Sequence, residues 1–284
     1  MLRALVRSAA PRSARLATLA VAAPRARPLV ARAARAATAL TAAGLLGASS
    51  TAVLCKSAPS SAAGKADALF DAAQYDALVQ LLCAAIPESP NDAELHWRLA
   101  RGCKKLSDAA PKAEQEKLLR QGLQSAERAL ALQPECGPAH KWYAICLSQV
   151  GAFEGTKGTI KNSFVVRDHF ERAIQFSPED ATSRHLLGLW CFEVAKLSWI
   201  EQKAAAVLFA TPPIATFAEA AAHFEAAEKM DPGFYPKNLL LLAQTYARLG
   251  RKAEAEALRL KCLDAIPTSP EDEETQREAA KLKW

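Results

Sequence analysis

A proline closes four helix-length segments of this chain, and each time a small residue stands five positions ahead of it. The four are Ala129-Leu-Ala-Leu-Gln-Pro134, Ala173-Ile-Gln-Phe-Ser-Pro178, Ala227-Glu-Lys-Met-Asp-Pro232 and Cys262-Leu-Asp-Ala-Ile-Pro267. Three positions earlier stand Ala126, Phe170, Phe224 and Arg259, three of them apolar on the same helix face. Proline cannot continue a helix, so each marks a stop. A helix-and-stop unit that recurs is the mark of a repeat array. Strand-like alternation is absent, whereas stripes such as Leu239, Leu242, Ala243, Tyr246 and Leu249 have helical spacing.

If position 1 lies three residues past a proline, repeats start at Gly137 and Ala181; counted back from Pro267, another starts at Pro236. The first then has Ala144 at position 8 and Gly151 at position 15, and the second has Leu187 and Gly188 at positions 7 and 8. The last carries Leu242, Ala243, Tyr246, Gly250 and Ala255 in register. This resembles the tetratricopeptide repeat, a helix–turn–helix unit of about 34 residues. The spacing varies: Pro134 to Pro178 is 44 residues, Pro178 to Pro232 is 54 and Pro232 to Pro267 is 35. Two insertions are therefore expected, one as a loop around 155–162 and one over 197–213. Looser helix pairs are expected at about 67–86 and 92–133, and a helix over 271–283 caps the array. The expected fold is all-α: a tetratricopeptide-like helical-hairpin solenoid of about five irregular repeats with a C-terminal capping helix.

Longer runs are more specific than the repeat. They are His140-Lys-Trp-Tyr-Ala-Ile-Cys-Leu-Ser148 with Phe153-Glu-Gly-Thr-Lys-Gly158, and Asp180-Ala-Thr-Ser-Arg-His-Leu-Leu-Gly-Leu-Trp-Cys191. Leu208-Phe-Ala-Thr-Pro-Pro213 and Phe234-Tyr-Pro-Lys-Asn-Leu-Leu-Leu-Leu242 belong with them. Over roughly 90–282 the chain resembles the regulator of microtubule dynamics family. The resemblance implies a non-enzymatic helical adaptor linked to microtubules and spindle poles. It also implies, for some members, work at mitochondria or at organelle contact sites with a lipid-handling role.

The charge is divided unevenly. The formal net charge is +6. Residues 1–64 hold eight Arg, Lys56 and no acidic residue, a net +9, which leaves −3 for 65–284. A folded part with no cationic surplus is no general nucleic-acid binder. Residues 1–35 are Arg-rich, Ala-rich and acid-free, the composition of a transit-like leader. They point to a mitochondrion, with a plastid leader similar in composition; the alternative is a basic arm on a protein at the cytoplasmic face or cytoskeleton. Residues 36–55 form a weak apolar segment, long enough for a membrane anchor but poor in Leu, or else the tail of the leader. A Ser/Ala/Pro/Gly linker is expected over 56–66 and the helical domain over 67–284.

Little in the chain carries chemistry. The seven Cys include no CxxC pair, and Cys83, Cys146, Cys191 and Cys262 fall in apolar stripes, as buried small hydrophobes do. The five His include no HExxH and no close pair. No metal, cofactor or catalytic constellation is expected, and the chain reads as a non-enzyme. Gly151-Ala-Phe-Glu-Gly-Thr-Lys157 lacks the Ser or Thr of a P-loop and the strand before it. With Lys157 and Lys161, that loop is a candidate cradle for a phospholipid headgroup or acidic peptide.

The groove itself is expected to bind a protein partner, as a helix or peptide. Its candidate residues are Lys141 with Ile145, His185 with Leu189, and Leu240 with Gln244, at positions 5 and 9 of the three repeats. None of these pairs is the Lys–Asn clamp of a chaperone-tail receptor. They describe an apolar groove, suited to an amphipathic helix or an acyl chain, with Trp142, Trp190 and Trp199 as lining or core. Tubulin enters only through the family resemblance, since a body of net −3 gains little steering towards acidic tubulin tails.

Overall fold

The computed structural model describes residues 61–197 and 213–284, apart from the side chains of Ser61, Thr156, Lys157 and Ile160. Among these residues there are eleven α-helices and no strand. Five hairpins follow one another: α1 Ser61–Asp71 with α2 Tyr75–Ala85, and α3 Ala93–Ala109 with α4 Lys112–Leu132. Next come α5 Gly137–Phe153 with α6 Gly155–Phe176, α7 Ala181–Ala195 with α8 Phe217–Met230, and α9 Pro236–Arg248 with α10 Lys252–Asp264. A single helix, α11 Pro270–Lys281, ends the array against α9 and α10. The chain is an all-α tetratricopeptide-like solenoid.

The proline marker has a local cause. Pro90, Pro134, Pro178 and Pro232 each sit second in a tight turn whose first carbonyl accepts the N–H three residues on: Ser89 from Asp92, Gln133 from Cys136, Ser177 from Asp180, Asp231 from Phe234. Ahead of it, the N–H of Gln133, Ser177 or Asp231 donates back to the carbonyl of Ala129, Ala173 or Ala227. Those three alanines and Cys262 have no exposed surface. The small residue thus sits where its helix meets its neighbours. His96 and His140, fourth in α3 and α5, each place Nε2 on the carbonyl of the preceding Pro90 or Pro134, at 3.0 and 2.8 Å. Later helices use other devices. A Thr216–Glu219 capping box starts α8. Gly250, with φ +80°, ends α9, and the Arg251 N–H returns to the Tyr246 carbonyl at 2.9 Å.

Two expected boundaries move. α1 starts at Ser61, inside the stretch expected as a 56–66 linker, so the helical domain begins before 67. Alanine suits both a linker and a helix, and packing decides: Ala63 and Ala66 are buried against Leu78 and Leu82 of α2 and Leu95 of α3. The expected loop at 155–162 is helix. Gly155 at φ +76° makes the only break, and the insertion becomes helix length in α5 and α6, of 17 and 22 residues. The leader, residues 36–55 and residues 198–212 of the second insertion lie outside the described residues.

One large core joins α3 to α10 through Trp97, Trp142, Phe170, Trp190, Phe224, Tyr246 and Ala255. Separate clusters close the ends. Cys103, Cys136, Cys146, Cys191 and Cys262 are buried. Cys83 is exposed, against expectation, because the apolar stripe of α2 is Leu78, Val79 and Leu82, and Cys83 falls just outside it. Burial pushes the Cys146 thiol up to about 12 and those of Cys191 and Cys262 up to about 11, so these are packing groups and not nucleophiles.

Candidate functional site

The first helices of the hairpins line one face of the array, with α3 beside α5 and α7 beside α9. Such a face is the concave surface of a solenoid. On α3, Trp97, Arg101, Lys104 and Asp108 recur at spacings of four, three and four and so share one side, with Lys105 next to Lys104 and four past Arg101. Lys104 is only 2% exposed, and its ammonium lies 2.8 Å from both carboxylate oxygens of Asp108. Lys105 is also buried. Arg101 reaches Asp67 of α1 at 2.6 Å and stacks over Phe70 and Trp97, with its guanidinium carbon 3.9 and 5.2 Å from the two rings. Arg98 forks onto the same Asp67 and onto Glu94. Against the pull of burial, these two guanidiniums hold the Asp67 carboxyl below its ordinary range.

Further cations come from α5 and α9. Lys141 pairs with Asp180 at the start of α7, at 2.8 Å. Burial raises the Asp180 pKa, but Lys141 and the Ser183 hydroxyl outweigh it, and the carboxyl stays below its usual range. Lys237 of α9 pairs with Glu278 of α11, and the Tyr235 hydroxyl donates to Glu271. Glu271 is raised by burial; Tyr235, Lys105, Lys104 and Lys237 pull it the other way. The last two α3 lysines of the stripe therefore lie within electrostatic reach of the last helix.

Among the buried side chains of α3 and α7 are polar atoms without hydrogen-bond partners. The Trp97 Nε1–H and the Arg101 Nε–H are buried with no acceptor, and His185 Nε2 is buried with no partner. The His185 tautomer follows from its other nitrogen. Asn238 donates from Nδ2 to the Phe224 carbonyl, which turns its Oδ1 towards His185 Nδ1 at 3.0 Å, so Nδ1 carries the proton. Burial, with help from Lys237, pushes the His185 pKa down to about 4. Among the described residues no group of three or more His, Cys, Asp or Glu is placed to hold a metal ion.

Comparison with known proteins decides the family. The family model "Regulator of microtubule dynamics protein 1-3" matches residues 63–283. Regulator of microtubule dynamics protein 1 of Bos taurus is 44% identical over 77% of this chain and 69% of its own length. This chain belongs to the regulator of microtubule dynamics family. Protein 3 of Xenopus laevis is 36% identical over 64% of this chain and 40% of that protein. Among solved structures, a TPR protein of Thermus thermophilus superimposes with a TM-score of 0.55 at 20% identity, covering 78% of this chain and 98% of that one. That likeness concerns the fold alone.

Most of the expected groove residues of this family member are core. Ile145, His185, Leu189 and Leu240 are buried, while Lys141 and Gln244 are half-buried. An ideal repeat turns positions 5 and 9 to the groove, whereas here Ile145 and Leu189 pack into the large core and Leu240 into the C-terminal cluster. Trp142 and Trp190 are also core, the latter donating to the Ser163 carbonyl at 3.1 Å. Trp199 and the Lys157 side chain lie outside the described residues. Lys161 is exposed on α6, and the helix N-terminus there carries its own carboxylate: Glu154 lies against Gly158 and 3.5 Å from Arg120.

The structure also makes a histidine pair absent from the sequence pattern. His140 Nε2–H donates to Pro134, so its bare Nδ1 accepts from His169 Nδ1–H at 3.0 Å across a separation of 29 residues. Burial and then His140 push the His169 pKa down to about 4. The basic stripe of α3 does not stand out in the sequence, because charged residues on a helix are ordinarily solvated. Its signal is a guanidinium and two adjacent ammonium groups at helical spacing on a first helix, Arg101-x-x-Lys104-Lys105.

Proposed function

We propose that this protein is a non-enzymatic adaptor whose concave face holds an acidic segment of a protein partner. The observation that carries this reading is the buried cationic lining of Arg101, Lys104 and Lys105 on α3, continued by Lys141 and Lys237. Desolvated ammonium and guanidinium groups bind carboxylates far better than exposed ones do. Arg101, Lys104, Lys141 and Lys237 are each paired with a carboxylate of this chain, Asp67, Asp108, Asp180 and Glu278, and a carboxylate of the partner would take the place of these. Its relatives are named as regulators of microtubule dynamics, and tubulin tails are acidic, so microtubules are the first partner to test. The full-length chain should pellet with microtubules at low salt and release them as ionic strength rises past about 0.15 M. Proteolytic removal of the tubulin tails should abolish pelleting. Equal pelleting with and without tails would overturn this reading.

Lipid carriage at organelle contacts is the weaker reading. An acyl chain entering this lining would meet charged groups and offer them no hydrogen bonds. No helix among the described residues is long and apolar enough to cross a membrane.

For location we propose the mitochondrion, on the Arg-rich, acid-free composition of residues 1–35. Deleting residues 1–56 should disperse the protein from mitochondria. The mass of the mature N-terminus then separates import from surface attachment. Cleavage after import would place the groove away from microtubules, and an uncleaved protein would keep it within their reach. Unchanged mitochondrial targeting without residues 1–56 would refute the assignment.

A further inference from the structure

The helix α11 is built unlike the other ten. Its sequence, Pro270-Glu-Asp-Glu-Glu-Thr-Gln-Arg-Glu-Ala-Ala-Lys281, carries five acidic residues against Arg277 and Lys281. Two faces of it are engaged. One buries Asp272, Thr275 and Ala279, while Gln276 Nε2 donates to the free carbonyls at the end of α10, those of Leu263 and Ala265, at 3.1 and 2.5 Å. On the other, Glu271 and Glu278 stand two turns apart. Glu278 pairs with Lys237, and Glu271 accepts from Tyr235 within reach of Lys104 and Lys105. These are the cations of the concave lining.

The apolar anchoring of α11 is slight. It gives only Ala279, and Leu282 beyond its end, to the cluster of Leu239, Leu240 and Cys262. By contrast, α8 buries Phe224 and α9 buries Leu239, Leu240, Leu241 and Leu242. A terminal helix with few buried apolar contacts belongs to the low-stability end of such a fold, where local opening is easiest. What holds its carboxylates in place is the same charge pattern that would hold those of another chain.

We infer that the basic concave face is a docking site for an acidic helical segment, and that α11 is its resident occupant, which a partner displaces. The inference rests on the adaptor reading above and adds to it the partner's form and the step that regulates entry.

The test uses the full-length chain and a fluorescein-labelled peptide of residues 268–284 as the probe, at low ionic strength. Wild type should bind the probe weakly. Glu271→Gln/Glu278→Gln loosens the resident helix and should bind at least about tenfold more tightly. Adding Lys105→Gln to that variant should reverse the gain. Amide exchange within Pro270–Lys281 of the protein should speed up when the probe binds, and should already be faster in the variant. Glu278→Gln alone, at a half-exposed site, serves if the double variant folds poorly, with a smaller gain expected. Wild type and variant binding alike, or probe bound with α11 still protected, would overturn the displacement while leaving the adaptor reading standing. No binding by either form would overturn both.

Discussion

Phe224→Ala is expected to lower the unfolding free energy by about 3–5 kcal/mol, the range for deleting a fully buried aromatic ring. Phe224 has no exposed surface and joins three helices. From α8 its ring tilts against His185 of α7 at 5.6 Å between centroids. Its carbonyl accepts from Asn238 of α9 at 3.1 Å. Opposite it lies Gly188, where an added Cβ would come within 2.9 Å of two ring carbons. A glycine has no side chain to move into the vacated space, so the cavity stays open. The measurement is the urea midpoint at an unchanged slope. A loss below about 1 kcal/mol would mean that the hairpins around α7 and α8 relax freely, contrary to the close packing described.

The second large effect is with acid. Stability should be level above about pH 6.5, the ordinary histidine value, and fall as pH drops towards 4. His185 is fully buried, with its pKa held down to about 4 by burial first and by Lys237 second, against the opposing bond to Asn238. In the unfolded chain it takes up a proton near 6.5. Between these values the unfolded state holds more protons, so stability present above 6.5 is lost as pH falls through the folded pKa. For His185 this is worth about 3 kcal/mol. His169 acts in the same direction, also from about 4, with a smaller effect because it is partly exposed and screened. His185→Phe should remove close to one proton from the slope of stability against pH over this window. An unchanged slope would show that His185 is not protonated on unfolding.

The two effects meet at one junction, and the sequence contained its pieces but not their assembly. Phe224 and Gly188 lie at repeat positions that the proline count picks out, and a large and a small residue there are normal for the repeat. Asn238 gives no such signal. It stands beside Lys237 in an apolar run and looks like a polar residue at a helix start. Only the crossing of α7 with α9 shows that it orders the His185 ring. Lys104 and Lys105 were hidden for a related reason. Charged residues on a helix are ordinarily solvated, and a helix with an ambiguous register does not reveal which side they take.

What the sequence alone determined is what local chemistry can carry. Proline second in a turn, a small residue five positions ahead and helical apolar stripes decide where helices stop and that they pair. Those rules act over a few residues and hold wherever the unit recurs. The tertiary structure alone decided how far the array curls. Each hairpin is rotated slightly against the last, and the rotation depends on side-chain fit at every junction, including the lengthened α5 and α6. Small rotations add up along the array. Packing between hairpins buries Ile145, His185, Leu189 and Leu240, the pairing of α5 with α6 inside one hairpin brings His140 to His169, and the last helix sets Glu278 on Lys237.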